Sequence, residues 1–344
     1  MSLVNKSTKE LISLTKKFIP PLLSKFHKGQ AGRVVVIGGC EDYTGAPFFS
    51  AHASALMGCD LTHIICETLA APIIKSYSPD LMVHPYMFEK DNIPEKYQND
   101  DGDGGDEEGE FFLREKVMKK ISQILDRVHV VVAGPGFGRD GYMLRTLELI
   151  IGEVKKRNLP LILDADALYL VSLKPEIIKG YEKAVLTPNV VEFKRLADSL
   201  GVHADDAASA ADTASQISKK LGNVTIVQKG EKDIIVKGDN YVISSTTGSN
   251  KRVGGQGDSF TGVTATLLSW TESAYKPQIW EGAKTPPILT DEELIILSCF
   301  GGSTITRLSA RKAFVEKGRA MQTSDLHKFI GISYHELFEI DNNH

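Results

Sequence analysis

Arg33-Val34-Val35-Val36-Ile37-Gly38-Gly39 is a short, β-branched apolar run that ends in two glycines. A strand with one wet face alternates apolar and polar residues. A continuous run marks a strand buried on both faces, as in a parallel sheet covered by helices. The loop at its C-terminal end then lies where ligands gather in open α/β sheets. The same unit recurs outward from this point. Gly45-Ala46-Pro47 opens a small-residue helix over 48–58, and strands are expected at 61–66 and 81–87. An amphipathic helix is expected over 111–125. From 129 the alternation is regular, with strands at 129–133, 161–166, 184–186 and 224–228. Helices over 142–157, 191–200 and 212–221 come between them. Residues 234–236 and 241–244 pair antiparallel about the turn Gly238-Asp239-Asn240. A helix over 8–24, stopped or bent by Pro20-Pro21, precedes the first strand, and helices at about 291–317 and 324–338 close the chain. This order predicts an α/β fold with a mostly parallel central sheet and helices on both faces. With no repeat and no composition break after Glu110, a single domain over 1–344 is expected.

The 344 residues, 42% of them hydrophobic, supply a large core. Net charge is −4, but seven carboxylates fall between Asp100 and Glu110, so the rest of the chain is mildly basic. That permits a nucleotide ligand and offers no basic stripe for nucleic acid. Residues 98–110 read as a flexible, solvated acidic insertion, since their aspartate spacing does not fit a calcium loop. The four cysteines lack metal or CxxC spacing and read as free thiols in a reducing compartment. No run is long and apolar enough to span a membrane. The segment before Arg33 lacks arginine and carries Glu10, so cytoplasm is expected rather than import, with a mitochondrial pool left open. His52 and His63 sit in apolar surroundings and read as satisfied core histidines.

The chemistry concentrates in Gly254-Gly255-Gln256-Gly257-Asp258, just ahead of an apolar segment over 263–270. A glycine turn entering a helix leaves forward-pointing N–H groups with the helix dipole behind them, which makes an anion site. A carboxylate there repels phosphate as a ligand but suits a base that deprotonates a hydroxyl attacking phosphate. The plainer alternative is that Asp258 only caps the helix. Thr246-Thr247-Gly248-Ser249-Asn250 adds hydroxyls and pliable backbone, and Lys229-Gly230-Glu231-Lys232-Asp233 is a strand-end loop able to seat an adenine and phosphates. No GxxxxGK[ST] occurs, which excludes a P-loop enzyme. Gly134-Pro135-Gly136-Phe137-Gly138 is either a close-approach turn over a substrate or a tight connection without a ligand. Asp164 and Asp166 either hold magnesium through water or are turn carboxylates. Asn189 and Glu192 begin a helix, where Glu192 either joins a water-mediated magnesium shell or favours the helix end by its charge.

Taken in chain order, these stretches resemble the ribokinase-like superfamily, and within it the ATP-dependent NAD(P)H-hydrate dehydratase family of the YjeF C-terminal type. The carriers are Gly38-Gly39 with Tyr43-x-Gly45-Ala46-Pro47, Gly134-Pro135-Gly136-Phe137-Gly138-Arg139 and Leu163-Asp164-Ala165-Asp166-Ala167-Leu168. Thr187-Pro188-Asn189-Val190-Val191-Glu192-Phe193, Lys229-Gly230 and the 254–258 turn complete them, covering about residues 27–330. The resemblance implies a three-layer α/β/α sandwich and a carbon–oxygen lyase of nucleotide repair. Its substrates would be ATP and the 6-hydroxy, hydrated form of NADH or NADPH, with Mg2+ bridging the ATP phosphates. It implies Asp258 as the base, with backbone N–H groups from Gly255 and Gly257 on the transferring phosphoryl. It puts the hydrate at Gly138, Asn189, Val190, Val191, Glu192, Phe193, Lys194, Arg195 and Asp258. ATP would lie against residues 229–233 (Lys229, Gly230, Glu231, Lys232, Asp233) and 248–257, which run Gly248, Ser249, Asn250, Lys251, Arg252, Val253, Gly254, Gly255, Gln256 and Gly257. No metal ligand is assigned beyond Glu192, acting through water. Bacterial relatives usually carry a small residue in place of Gln256 and a His-containing turn in place of 189–192. This chain therefore resembles the eukaryotic, ATP-using branch. The epimerase domain fused in many bacterial members has no room before His27, so an epimerase on a separate chain is implied, and self-association is left open. The competing readings are a small-alcohol or vitamin-precursor kinase on the same fold, and a nucleotide-binding protein without turnover.

Overall fold

A computed structural model describes residues 3–97, 107–203 and 209–340. The nine strands are β1 Arg33–Ile37, β2 Leu61–Glu67, β3 Met82–Met87, β4 Val130–Ala133, β5 Leu161–Leu163, β6 Ala184–Leu186, β7 Thr225–Gln228, β8 Asp233–Lys237 and β9 Asn240–Ser244. They form one sheet in the order β3-β2-β1-β4-β5-β6-β7-β8-β9. Pairing is parallel from β3 through β7. β7–β8 and β8–β9 are antiparallel, and the second is the predicted hairpin.

The apolar runs sort by parity. Val34 and Val36 enter one core and Val35 and Ile37 the other, and the same split divides Val130 and Val132 from Val131 and Ala133. Both faces are dry, which is why these strands read as continuous rather than alternating. The first core is covered by α1 (Thr8–Lys16), α2 (Gly45–Leu56) and α3 (Ala70–Tyr77). The second carries α4 (Glu107–Phe112), α5 (Met118–Leu125), α6 (Gly141–Lys156), α7 (Asp166–Leu173), α8 (Val190–Ser199) and α9 (Ala210–Lys220). The first face is completed by α10 (Gln256–Trp270), α11 (Asp291–Lys317), α12 (Thr323–His327) and α13 (Ile330–Phe338). The result is the expected three-layer α/β/α sandwich.

Two helices, α3 and α7, lie where sequence patterning predicted none. The expected strand over 161–166 stops at Leu163, and Asp166 already starts α7. The helix expected over 111–125 is broken by a π-helical turn, Leu113–Val117. Of the acidic stretch, 98–106 lie outside the described residues. Residues 107–110 belong to α4 rather than to a loop, and Glu110 there pairs with Arg114 and Arg145.

From β1 the chain winds one way through β2 to β3, then returns to place β4 on the other side of β1. This reversal opens a crevice at the strands' C-terminal ends. The loops beyond β1 and β4 interlock there, with Gly39 N donating to Pro135 O and Cys40 N to Gly136 O. A Cβ on Gly38 would stand 2.0 Å from Pro135 O, so only glycine lets the two loops meet.

Candidate active site

The 254–258 turn enters α10 as expected. Gly255 is the residue ahead of the helix and holds a left-handed φ of +94°. A Cβ there would also come within 2.7 Å of the Phe49 ring, so glycine is required on both conformational and steric grounds. Asp258 follows in the first turn. Lys229, from the β7–β8 loop, places Nζ 2.7 Å from Asp164 Oδ1 at the end of β5. Both lie beside Gly257, at 3.2 and 3.7 Å from where a Cβ on that residue would be. Glu192 closes a capping box on α8. Its Oε2 accepts from Asn189 N at 2.8 Å, while Asn189 Oδ1 accepts from Val191 N and Glu192 N.

Three carboxyls thus surround one ammonium. Burial raises the Asp258 carboxyl to about 7, helped by the charge of Asp164 and opposed by Lys229. Glu192 is raised by burial and then by Asp164. Burial works against the Lys229 ammonium, yet Asp164, Glu192 and Asp258 together hold it above its ordinary value. Asp258 is thereby a carboxyl able to take up and release a proton near neutrality, which is what a general base needs. Among the described residues no three His, Cys, Asp or Glu side chains converge to hold a metal directly.

A cavity of about 630 Å³ adjoins this cluster. Of the residues picked from the sequence, Asn189, Val190 and Val191 line one wall, and Lys229, Gly230, Glu231 and Asp233 another. Arg252, Val253, Gln256 and Gly257 line a third. The rest stand elsewhere. Phe193 is in the second core, Lys194 is exposed, and Arg195 lies 5.9 Å from the Tyr169 ring. Gly138 N donates to Asp166 Oδ2 at 3.0 Å, and Arg139 Nε to Asp166 Oδ1 at 3.1 Å. Asp166 is therefore a turn carboxylate and shares no site with Asp164. Lys232 and Asn250 are exposed, and the Ser249 hydroxyl braces Lys251, donating to its carbonyl and accepting from its N–H. Gly248 packs on the stem of Arg307, while the Gly254 carbonyl takes a hydrogen bond from Thr323.

Sequence reasoning missed the contribution of α11. Arg307, 6% exposed, holds Asp233 bidentately at 2.9 and 2.6 Å and donates to the carbonyls of Gly230 and Glu231. Ser303 Oγ adds 2.6 Å to Asp233 Oδ2. Asp233 thus shapes the 229–233 loop from within rather than offering a free carboxylate. Thr306 also lines the cavity, and its buried hydroxyl has no hydrogen-bond partner among the described residues. Phe260 completes the apolar wall. The signal for Arg307 was present, since it is a lone charge in an otherwise apolar and small-residue stretch, where an unpaired charge is not tolerated. His52 and His63 pair with other histidines, His327 and His84, rather than with backbone.

A larger cavity of about 1000 Å³ opens at the far end of α10, against Trp270, Trp280, Tyr334 and Phe338. None of the carboxylates described above lines it. Among the described residues no helix is long and apolar enough to cross a membrane.

Residues 34–285 match the NAD(P)H-hydrate dehydratase family. A Candida albicans protein named ATP-dependent (S)-NAD(P)H-hydrate dehydratase is 47% identical, the match covering 97% of each chain. A ribokinase-like superfamily protein from Enterococcus faecalis superposes with a TM-score of 0.70 at 20% identity, over 97% of this chain and 96% of that one. The ADP/ATP-dependent NAD(P)H-hydrate dehydratase of Bacillus subtilis, co-crystallised with ATP and Mg2+, superposes at 0.61 with 16% identity, over 95% and 97%. Both superpositions establish a ribokinase-like fold.

Proposed function

The chain belongs to the NAD(P)H-hydrate dehydratase family, and from that premise we propose that it dehydrates (6S)-hydrated NADH and NADPH at the expense of ATP. The observation that carries this reading is Asp258, a carboxyl poised near 7 on a glycine turn beside Lys229.

Asp258, as carboxylate, accepts the proton of the C6 hydroxyl while that oxygen attacks the γ-phosphorus and ADP leaves. The N–H groups of the turn face the charge that develops on the transferring phosphoryl. The C6–O bond then breaks, and its electron pair departs with phosphate as the ring nitrogen's lone pair forms the iminium. Loss of a C5 proton restores the dihydropyridine. The balance is hydrate plus ATP giving NAD(P)H, ADP, hydrogen phosphate and one proton. Phosphorylation serves to turn hydroxide, a poor leaving group, into phosphate.

The donor set fits Mg2+ held through water rather than in a protein cage. Asp164, Glu192 and Asp258 carry more negative charge than Lys229 neutralises, and among the described residues none has two further ligands positioned to hold a metal with it. Magnesium on ATP would neutralise phosphate charge and keeps several waters. Asp164 and Glu192 would orient those waters, while the 229–233 loop and Arg252, Val253 and Gln256 would hold the nucleotide. Thr306 would offer its unpaired hydroxyl to the same ligand. The other epimer of the hydrate presents its hydroxyl on the opposite ring face, so it would require an epimerase.

The test is incubation with hydrated NADH or NADPH and ATP–Mg, following dihydropyridine absorbance and phosphate release, with ADP in a parallel arm. Return of absorbance with one phosphate per turnover is expected, and ATP should outperform ADP. Accumulation of a stable phosphate ester without absorbance would make the protein a simple kinase. Nucleotide binding with neither product would make it a non-catalytic binder.

A further inference from the structure

Behind the glycine turn runs a chain of polar side chains that the reaction above does not use. Ser259 Oγ donates to Gly255 O at 2.8 Å, and the same hydroxyl lies 2.8 Å from His327 Nε2. His327 Nδ1 is in turn 2.9 Å from His52 Nδ1. The proton order in this chain follows from counting. A serine hydroxyl has one proton, and here it goes to the Gly255 carbonyl. Nε2 of His327 must then be the donor toward Ser259. His327 is 3% exposed, and burial followed by the nearness of His52 lowers its pKa to about 3, so the ring is neutral. A neutral ring protonated on Nε2 has a bare Nδ1, so His52 donates through Nδ1–H. Every bond therefore runs toward the Gly255 carbonyl, and bonds aligned this way polarise one another.

The rings are themselves fixed. Phe48 stacks on His52 at 5.0 Å, and Phe49 meets His327 edge-on at 5.4 Å. Thr323, on the same short helix as His327, donates to the Gly254 carbonyl. Two successive carbonyls of the turn are thus held from behind, Gly254 O by Thr323 directly, and Gly255 O by the Ser259 N–H at 2.9 Å and by the Ser259 hydroxyl that His327 orients. Because trans peptides are planar, the N–H groups of Gly255 and Gln256 are aimed the other way. The first has no partner among the described residues, and the second makes only a long, 3.4 Å contact with Val253 O.

We propose that His327, oriented by His52, is a positioning residue for the phosphoryl-transfer step. Its Nε2–H commits the Ser259 hydroxyl to the Gly255 carbonyl and so holds the turn's N–H groups toward the transferring phosphoryl. This rests on the dehydratase reading above, and wild-type turnover of hydrated NADH is measured first as the check on that reading. His327→Gln can place an amide N–H where Nε2–H stands, whereas His327→Ala cannot, and Ser259→Ala removes the link between ring and carbonyl. In His327→Ala, kcat should fall about tenfold with the KM for ATP changed less than about threefold, an indirect loss smaller than deleting an oxyanion donor itself. His327→Gln should recover most of it. Ser259→Ala should match His327→Ala, and the double variant should be no worse than either, because both break one chain. 15N-histidine NMR of the wild-type protein should show His327 in the Nε2–H form. Turnover of His327→Ala within twofold of wild type would overturn the proposal. So would equal losses in the Gln and Ala variants, or an Nδ1–H tautomer. The NMR result stands independently of turnover, so failure of the dehydratase reading and failure of this hydrogen-bond order are separately visible.

Discussion

Asp258→Asn keeps the side chain's shape and removes its ability to carry charge, so it perturbs rate and stability in opposite directions. The carboxyl is raised from 3.8 to about 7 in the folded protein, with burial the largest cause. Between those values the native state holds a proton that the unfolded chain has lost. Stability contributed by the group therefore falls as pH rises through this window and stays low above it. The gap corresponds to about 4 kcal/mol at most, at about 1.4 kcal/mol per tenfold change in proton affinity. Asp258 keeps part of its surface exposed, and solvent there screens it, so about 2 kcal/mol is expected in practice. Asparagine never pays this cost of ionisation. Urea unfolding should accordingly show Asp258→Asn more stable than wild type by about 2 kcal/mol near pH 8, with the curves converging as pH approaches 4. In the same variant kcat should drop about a thousandfold if proton abstraction is its role, with nucleotide binding retained. Equal stabilities at pH 8, or a difference that grows on acidification, would refute the electrostatic account. Turnover within tenfold of wild type would refute the base.

Lys229→Met removes the cation that opposes the rise at Asp258, so Asp258 should titrate higher still. The acid limb of the kcat–pH profile should shift upward, and an unmoved limb would disconnect it from Asp258. Gly255→Ala forces a Cβ onto a φ of +94° and against Phe49, and such backbone strain costs roughly 1–3 kcal/mol. Thermal melting should register that loss, and kcat should fall more than the KM for ATP rises. Arg307→Met strands the buried Asp233 carboxylate. Breaking one side of such a pair costs about 3–5 kcal/mol, and the KM for ATP should rise as the 229–233 loop loosens. Adding Asp233→Asn should return part of the stability, and no recovery would mean that the loop depends on Arg307 in some other way.

The sheet was legible because burial on both faces leaves an unbroken apolar signature, and the glycine turn because its conformation admits few other residues. What stayed hidden shares a physical cause. In α3, Pro72 reads as a breaker, yet it falls within the first turn, where the missing N–H has no partner to lose. In α7, Asp166 follows β5 so closely that the expected strand runs on to include it, leaving the apolar residues after it with no element of their own. The site's central ion pair joins residues 65 positions apart, and the Arg307–Asp233 clamp joins residues 74 apart. No local pattern encodes such distances. Asp164 and Asp166 looked alike in the sequence, and only the fold turned one toward Lys229 and the other toward Gly138.

The short helix α12 has a consequence for how the protein is made. Thr323 and His327, which brace the glycine turn from behind, come later in the chain than every other residue of the site. Chains emerge from the ribosome N-terminus first, and a large α/β sheet with distant pairings assembles in stages. Strands β1 to β9 and the turn itself are therefore all synthesised before its brace exists. On a stalled or truncated nascent chain that ends before Thr323, the nucleotide pocket would be present while the N–H groups of the turn lacked their backing. Such a fragment should capture nucleotide but turn it over more slowly than the finished chain, with full competence arriving as the final helices dock.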